Sequence, residues 1–208
     1  MICSCYLRNK RLADHKNRAY LNNKTYVKQK VPSLYTALST GSDANGTVVY
    51  GAVNPFVLQY GQNVQIVLNN LDAALHPFHL HGHAFQVVAK AASNAGIFNG
   101  DTSAFPSTPM RRDTVTVNAN SYIVLRFVAD NPGVQLFHCH IEWHVEMGLS
   151  ATFIEAPEEL QASLTVPENH YSACAAESLP TAGNAAGNTV NMTDLTGANT
   201  AMPNPDYG

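Results

Sequence analysis

The feature that most constrains this chain is a pair of histidine clusters: His76-Pro77-Phe78-His79-Leu80-His81-Gly82-His83 and, after a gap of 54 residues, His138-Cys139-His140-Ile141-Glu142-Trp143-His144. Seven of the nine histidines lie in them, and with Cys139 added and His83 set aside they offer seven candidate metal ligands. In a strand, the side chains of residues i and i+2 share one face and that of i+1 takes the other. His138 and His140 can therefore address one site while Cys139 addresses a second.

The donor types narrow the metal. One thiolate with two imidazoles suits a trigonal blue-copper site, whereas structural zinc usually recruits several cysteines. Cys139, His144 and His76 form that set. The pairs His79/His81 and His138/His140 supply nitrogen alone, which suits copper, iron or zinc about equally. Either pair by itself also fits a cupin-type site or a polar strand face with no metal. Both together, each beside a further histidine and one enclosing a cysteine, are hard to obtain from surface composition.

These segments resemble the third and fourth copper-binding motifs of the multicopper oxidases, the family of laccases, ascorbate oxidase and ferroxidases. The resemblance runs from about Leu21 to Gly197 and includes Val31-Pro32-Ser33-Leu34-Tyr35-Thr36, Asn54-Pro55-Phe56, Pro109-Met110-Arg111-Arg112-Asp113-Thr114, Ala129-Asp130-Asn131-Pro132-Gly133 and Thr193-Asp194-Leu195-Thr196-Gly197. All are similar to the C-terminal cupredoxin (plastocyanin-like) domain of fungal enzymes.

The resemblance implies a role for each position. His76, Cys139 and His144 would hold a type 1 copper, with Leu149 in the axial position. An axial leucine offers no thioether lone pair, so the reduction potential should be higher than with methionine. Met147 does not have the family's axial spacing and reads as core. His79 resembles a type 2 ligand, and His81, His138 and His140 resemble type 3 ligands, with His81 and His138 sharing one copper. Glu142 matches an acid that supplies protons during dioxygen cleavage; taken alone it reads as an exposed glutamate on a helical turn. Asp72 matches an acid that in iron-uptake ferroxidases helps bind Fe(II), though many laccases keep an aspartate there. His83 has no ligand role in the family and reads as a local hydrogen-bonding histidine.

The departure from the family is as informative. A complete trinuclear cluster takes eight histidines, four of them from an N-terminal domain, and the only histidine before His76 is His15. The expectation is a complete type 1 set beside partial type 2 and type 3 sets, with N-terminal cupredoxin domains as the implied partners. The reductant would be Fe(II) or a small phenol and the oxidant dioxygen. The alternative is an isolated blue-copper electron-transfer domain, or an inactive fragment without oxidase activity.

Length and patterning agree with an all-β domain, a cupredoxin-like Greek-key β-sandwich with short helical turns. The 208 residues are 45% hydrophobic and 13% charged, enough for one core. Short apolar runs predict strands over Pro55 to Tyr60, Val64 to Asn69, Phe85 to Ala89, Thr114 to Val117, Tyr122 to Ala129, Leu136 to Cys139 and Ser150 to Glu155. Turn signals such as Asn131-Pro132-Gly133 separate them. Helical signals are confined to Ile141 to Met147 and Pro157 to Ala162. The stretch from Ala91 to Pro109 reads as a surface loop beside the type 1 site. The expected division is 1–20, an unmatched basic segment; 21–178, the cupredoxin domain, third of a multicopper oxidase; and 179–208, an extended tail.

Charge is uneven. Eight of the 12 Lys and Arg residues fall in the first 30 positions beside one acid, Asp14, whereas the remaining 178 residues carry a net of about ten negative charges. The body is a poor partner for nucleic acid. Met1 to Tyr20, with Cys3 and Cys5, lacks the apolar core of a signal peptide and suggests a mis-assigned or truncated start. No apolar run of about 20 residues is present to span a membrane as a helix. Sequons at Asn23, Asn45 and Asn191 favour an extracellular or cell-surface parent that is a secreted glycoprotein. Cys174 aligns with a cysteine that in relatives often bonds to the N-terminal domain, and would here be a free thiol or an opportunistic bridge.

Overall fold

The apolar runs of the sequence become strands, and polar punctuation ends them. The computed structural model describes residues 2–11 and 17–201. The chain runs β1 (Ile2–Arg11), β2 (Asn17–Leu21), α1 (Ser33–Ser39), β3 (Pro55–Leu58), β4 (Gln62–Asn70), β5 (His76–Leu80), β6 (Phe85–Lys90), β7 (Met110–Arg112), β8 (Thr114–Val117), β9 (Ser121–Ala129), β10 (Gly133–Cys139), α2 (Glu142–Glu146), β11 (Ser150–Glu155), α3 (Pro157–Ser163) and α4 (Glu168–Ala176). The described strands form a six-stranded and a five-stranded sheet, and the helices are short, so the all-β expectation holds. The chain divides into two compact units: Met1–Tyr26 with Gly61–Ala129 and Leu136–Ala151, and Val27–Tyr60 with Asp130–Gln135 and Thr152–Gly208. This division is of a different kind from the sequence limits 1–20, 21–178 and 179–208.

In the first unit the sheet order is β2-β1-β4-β9-β6-β7. β4 and β9 pair antiparallel along their lengths, from Gln62 opposite Ala129 to Asn70 opposite Ser121. Ile66, Leu68, Ile123 and Leu125 on these strands are fully buried. β9 shows why it stays in register: Leu125, Phe127 and Ala129 turn inward while Arg126 and Val128 turn to solvent.

The same unit holds β5 between β8 and β10. Phe78, Leu80 and Phe137 are fully buried on one face of the β5–β10 pair, with the Phe78 and Phe137 ring centroids 4.9 Å apart. That apolar face fixes which way the intervening histidines must point.

In the second unit β11 pairs in parallel with β3, and Phe56 stacks on Phe153 at 5.2 Å. Tyr50, Leu58, Ile154 and Leu160 complete the core; the buried Tyr50 hydroxyl donates to the Ala44 carbonyl at 2.8 Å. The residues after α4 fold as successive turns around Asn184, which is fully buried. Its amide nitrogen donates to the carbonyls of Met192 at 3.1 Å and Asp194 at 2.7 Å, and the Ala185 N–H donates to the Val49 carbonyl at 2.7 Å.

Six described strands and α-helices lie outside the sequence expectations: β1, β2, α1, β5, β7 and α4. β1 and β2 arise in the basic segment, β1 pairing in parallel with β4 and antiparallel with β2; the side chains of Cys3 and Cys5, and all of His15, lie outside the described residues. β5 is missing from the apolar-run reading because Pro77 and its histidines interrupt the run. α4 has no buried residue to mark it.

Deleting the Phe137 ring tests the packing that holds β5 to β10. Phe137→Ala should lower unfolding stability by about 3–5 kcal/mol, read by chemical denaturation of the metal-free chain; a loss below ~1 kcal/mol would place little of the stability in this contact.

Candidate metal centre

Two strands build the centre. β10 pairs antiparallel with β5, setting His138 opposite His79, Cys139 opposite Phe78 and Phe137 opposite Leu80. The ladder continues past both strand ends: the His81 N–H donates to the Leu136 carbonyl at 3.0 Å and the His140 N–H to the Pro77 carbonyl at 2.7 Å. Because side chains alternate, His76 and Cys139 fall on the apolar face with Phe78, while His79, His81, His138 and His140 fall on the other.

On the buried face, His76 Nδ1, His144 Nδ1 and Cys139 Sγ converge. His76 Nδ1 lies 3.2 Å from His144 Nδ1 and 3.7 Å from the sulfur, and His144 Nδ1 lies 3.3 Å from the sulfur. Within the described residues these three form the group whose ligand atoms lie close enough to share one ion. All three are buried. His76 Nε2–H donates to Asp72 Oδ2 at 3.0 Å, so the proton of the neutral ring sits on Nε2 and the Nδ1 lone pair faces the sulfur.

The loop after β10 returns His144 to the site. α2 carries it one turn on, and the Leu149 N–H donates to the His144 carbonyl at 2.9 Å while the Cys139 N–H donates to the Leu149 carbonyl at 3.1 Å. Leu149 is fully buried and tied by its main chain to both ligand residues. Met147 is also buried. The Trp143 ring lies against His144 with centroids 4.4 Å apart, although more than half of the tryptophan is exposed.

On the opposite face the four other histidines cluster, with ring centroids 4.7 Å (His79–His81), 5.2 Å (His81–His138), 5.3 Å (His138–His140) and 5.8 Å (His79–His140) apart. His138 Nδ1–H donates to the Cys139 carbonyl at 2.9 Å, which leaves its Nε2 lone pair 3.1 Å from His81 Nε2. His79 Nδ1–H donates to the Asp113 carbonyl at 2.8 Å, with the Thr114 hydroxyl 3.0 Å from the same nitrogen. Each bond holds a ring by its Nδ1 and frees Nε2. His81 and His140 are exposed, as is Glu142 in the first turn of α2. His83 stands apart with its ring against Phe127 at 4.7 Å.

Burial sets the protonation of the site. It pushes the His144 imidazole down to about 4, with the neighbouring His76 ring acting in the same sense. Burial also lowers His76, against the opposing pull of Asp72, and lowers His81 and His138. Burial raises the Cys139 thiol to about 11. At neutral pH the rings of His76, His81, His138 and His144 are neutral with lone pairs available, and the thiol keeps its proton until a metal ion displaces it. One thiolate, two imidazoles and an aliphatic neighbour make a donor set that fits a blue-copper ion; the four-imidazole face suits copper among other metals.

Sequence reasoning names each ligand candidate that the structure brings together but misses their supports. The Asp113 carbonyl and Thr114 hydroxyl meet His79 only because β8 pairs with β5, setting Thr114 opposite His79. Nothing in the local sequence of Asp113 and Thr114 signals that pairing.

The multicopper oxidase family model matches residues 26–159, and the chain belongs to that family. It is 55% identical over 192 residues to the iron transport multicopper oxidase FET3 of Gibberella zeae, covering 90% of this chain and 31% of the relative. With the iron transport multicopper oxidase FET3 of Saccharomyces cerevisiae it shares 47% over 194 residues, covering 88% and 30%. The crystal structure of Fet3p, a multicopper oxidase that functions in iron import, matches with a TM-score of 0.89 and 43% identity, covering 94% of this chain and 39% of that one. The laccase from Botrytis aclada matches with a TM-score of 0.65 and 25% identity, covering 95% and 35%. The chain spans about a third of the length of the curated relatives it matches. The fold is cupredoxin-like, and copper is the metal that the family implies.

The lowered imidazoles predict a pH dependence for the metal-free chain. Between the ordinary histidine value near 6.5 and about 4 the unfolded state binds more protons than the folded one, so stability present above pH 6.5 is lost as pH falls through about 4. Urea denaturation in the presence of a chelator should show lower stability at pH 5 than at pH 7, with a smaller difference in His144→Ala; equal dependence in both would remove His144 as a source.

Proposed function

We propose that this chain is the electron-input part of a multicopper oxidase. His76, Cys139 and His144, with Leu149 in the axial position, would hold a type 1 copper. His79 would serve a type 2 copper, and His81, His138 and His140 a type 3 pair. Copper at these places would supply one-electron oxidation of a reductant on the buried face and, together with the parent protein's further histidines, reduction of dioxygen to water on the other. The observation that carries this reading is the Cys139 set: a buried thiol and two imidazole Nδ1 atoms within 3.2–3.7 Å of one another.

The chain's own residues divide the work. Cys139 is bonded through its backbone to His138 and His140, so the two faces are joined covalently across one residue. Asp72 holds His76 by its Nε2–H and offers a partly exposed carboxylate to a cation on the outer side of the ring. Leu149 excludes a fourth strong donor. Glu142, two residues past His140, presents an exposed carboxyl that would relay protons. Four further histidines would come from N-terminal cupredoxin domains of the parent protein.

The reductant is Fe(II) or a phenol. Fe(II) is favoured by the carboxylate of Asp72 against the ligand His76 and by the iron transport relatives. A parent enzyme at the cell surface or outside the cell suits this chemistry. The second reading, a blue-copper electron carrier without oxidase activity, is favoured by the one complete ligand set beside four histidines where the family uses eight.

Cys139→Ser tests the assignment on which both readings rest. The copper-loaded variant should lose the intense blue absorption of the parent chain; retained colour would remove Cys139 as the thiolate ligand.

A further inference from the structure

We infer that Asn191 is the preferred N-glycan acceptor of this chain, selected among three sequons by a local hydrogen-bonded turn. The inference rests on the proposal that the parent protein is secreted, and is independent of the copper chemistry.

The three sequons, Asn23-Lys24-Thr25, Asn45-Gly46-Thr47 and Asn191-Met192-Thr193, are equivalent in sequence. Their geometries differ. At Asn191 the Thr193 hydroxyl donates to Asn191 Oδ1 at 2.9 Å and the Thr193 N–H to the same oxygen at 3.1 Å. The side chain is exposed, and the described structure gives its amide nitrogen no acceptor. A hydrogen bond to the amide oxygen makes the Nδ2 protons more acidic, which favours transfer. In that transfer Asn191 Nδ2 forms a bond to the anomeric carbon of an oligosaccharide carried on a polyisoprenyl diphosphate. The bond from that carbon to the diphosphate breaks, the diphosphate leaves with the electron pair, and a base of the transferase takes the Nδ2 proton.

The other two sequons lack this arrangement. Asn45 already gives an amide proton to Glu158 Oε1 at 2.8 Å. Asn23 sits with Asn22 in a two-residue turn, both at positive φ (61° and 53°), closing Leu21 against Lys24. Its Thr25 hydroxyl is spent on the Ala19 carbonyl at 3.1 Å. The Asn191 turn is also held from nearby: Asn188 Oδ1 accepts the N–H groups of Asn191 at 3.0 Å and Val190 at 2.9 Å. The side-chain hydrogen bonds around this turn join residues no more than ten apart, from Asn184 to Asp194, and the turns are anchored to the rest of the fold where the Ala185 N–H meets the Val49 carbonyl.

The test is the occupancy of each sequon in the full chain, secreted from a eukaryotic host behind an added signal peptide and read by peptide mass after enzymatic deglycosylation in heavy-oxygen water. The expected result is higher occupancy at Asn191 than at Asn23 or Asn45, retention of it in Thr193→Ser, and a drop of roughly five-fold or more in Asn188→Ala, which removes both hydrogen bonds that Asn188 Oδ1 accepts. Equal or higher occupancy at either other sequon, a bare Asn191 in secreted protein, or unchanged occupancy in Asn188→Ala would overturn the inference. If Asn188→Ala is not secreted, the comparison of the three parent sites decides. The blue absorption of the same sample, loaded with copper, reports separately on the copper reading.

Discussion

The antiparallel pairing of β5 with β10 is the constraint on which the site depends. With Cys139 opposite Phe78 and His138 opposite His79, the pleat sends one thiol and His76 to the apolar face and four imidazoles to the other. A slip of one residue would invert every side chain of one strand. Cys139 would then face the imidazole cluster and His138 the core. What prevents the slip is not the histidines but the burial of Phe78, Leu80 and Phe137, side chains with no part in metal chemistry.

The supports around the rings have a common logic. His76 gives its Nε2 proton to Asp72 and presents Nδ1, whereas His79 and His138 give Nδ1 protons to main-chain carbonyls and present Nε2. The tautomer of each ring is thus set by the bond its other nitrogen makes. Burial keeps His144 and His76 neutral and Cys139 protonated without metal. A metal ion that replaces the thiol proton relieves the cost of holding three polar groups out of water, which couples loading to stability.

Much of this was legible in the sequence because its signals are local. The limits of β8 and β11 follow from Thr114 to Val117 and from Ser150 to Glu155. The residues His76, Cys139 and His144 can be grouped from donor chemistry, and the i, i+2 rule separates Cys139 from its neighbours. What was not legible depends on partners distant in the chain. β1 is basic and polar, and becomes a strand beside β4, whose pairing residues lie some sixty positions on. β5 is hidden because Pro77 and His79 break its apolar run. The hold of Asp113 and Thr114 on His79 exists only after β8 meets β5.

We propose that one metal set in this chain is complete and the other is half of a larger one. Copper stoichiometry and the visible spectrum of the purified, copper-loaded 208-residue chain, followed on the same sample by oxygen uptake with Fe(II) or a phenol, test it most directly. The expected result is an intense blue band from copper at the Cys139 set and no oxygen consumption by the chain alone. A full complement of family coppers with steady turnover of dioxygen would contradict it, because the missing histidines would then have to come from copies of this same chain.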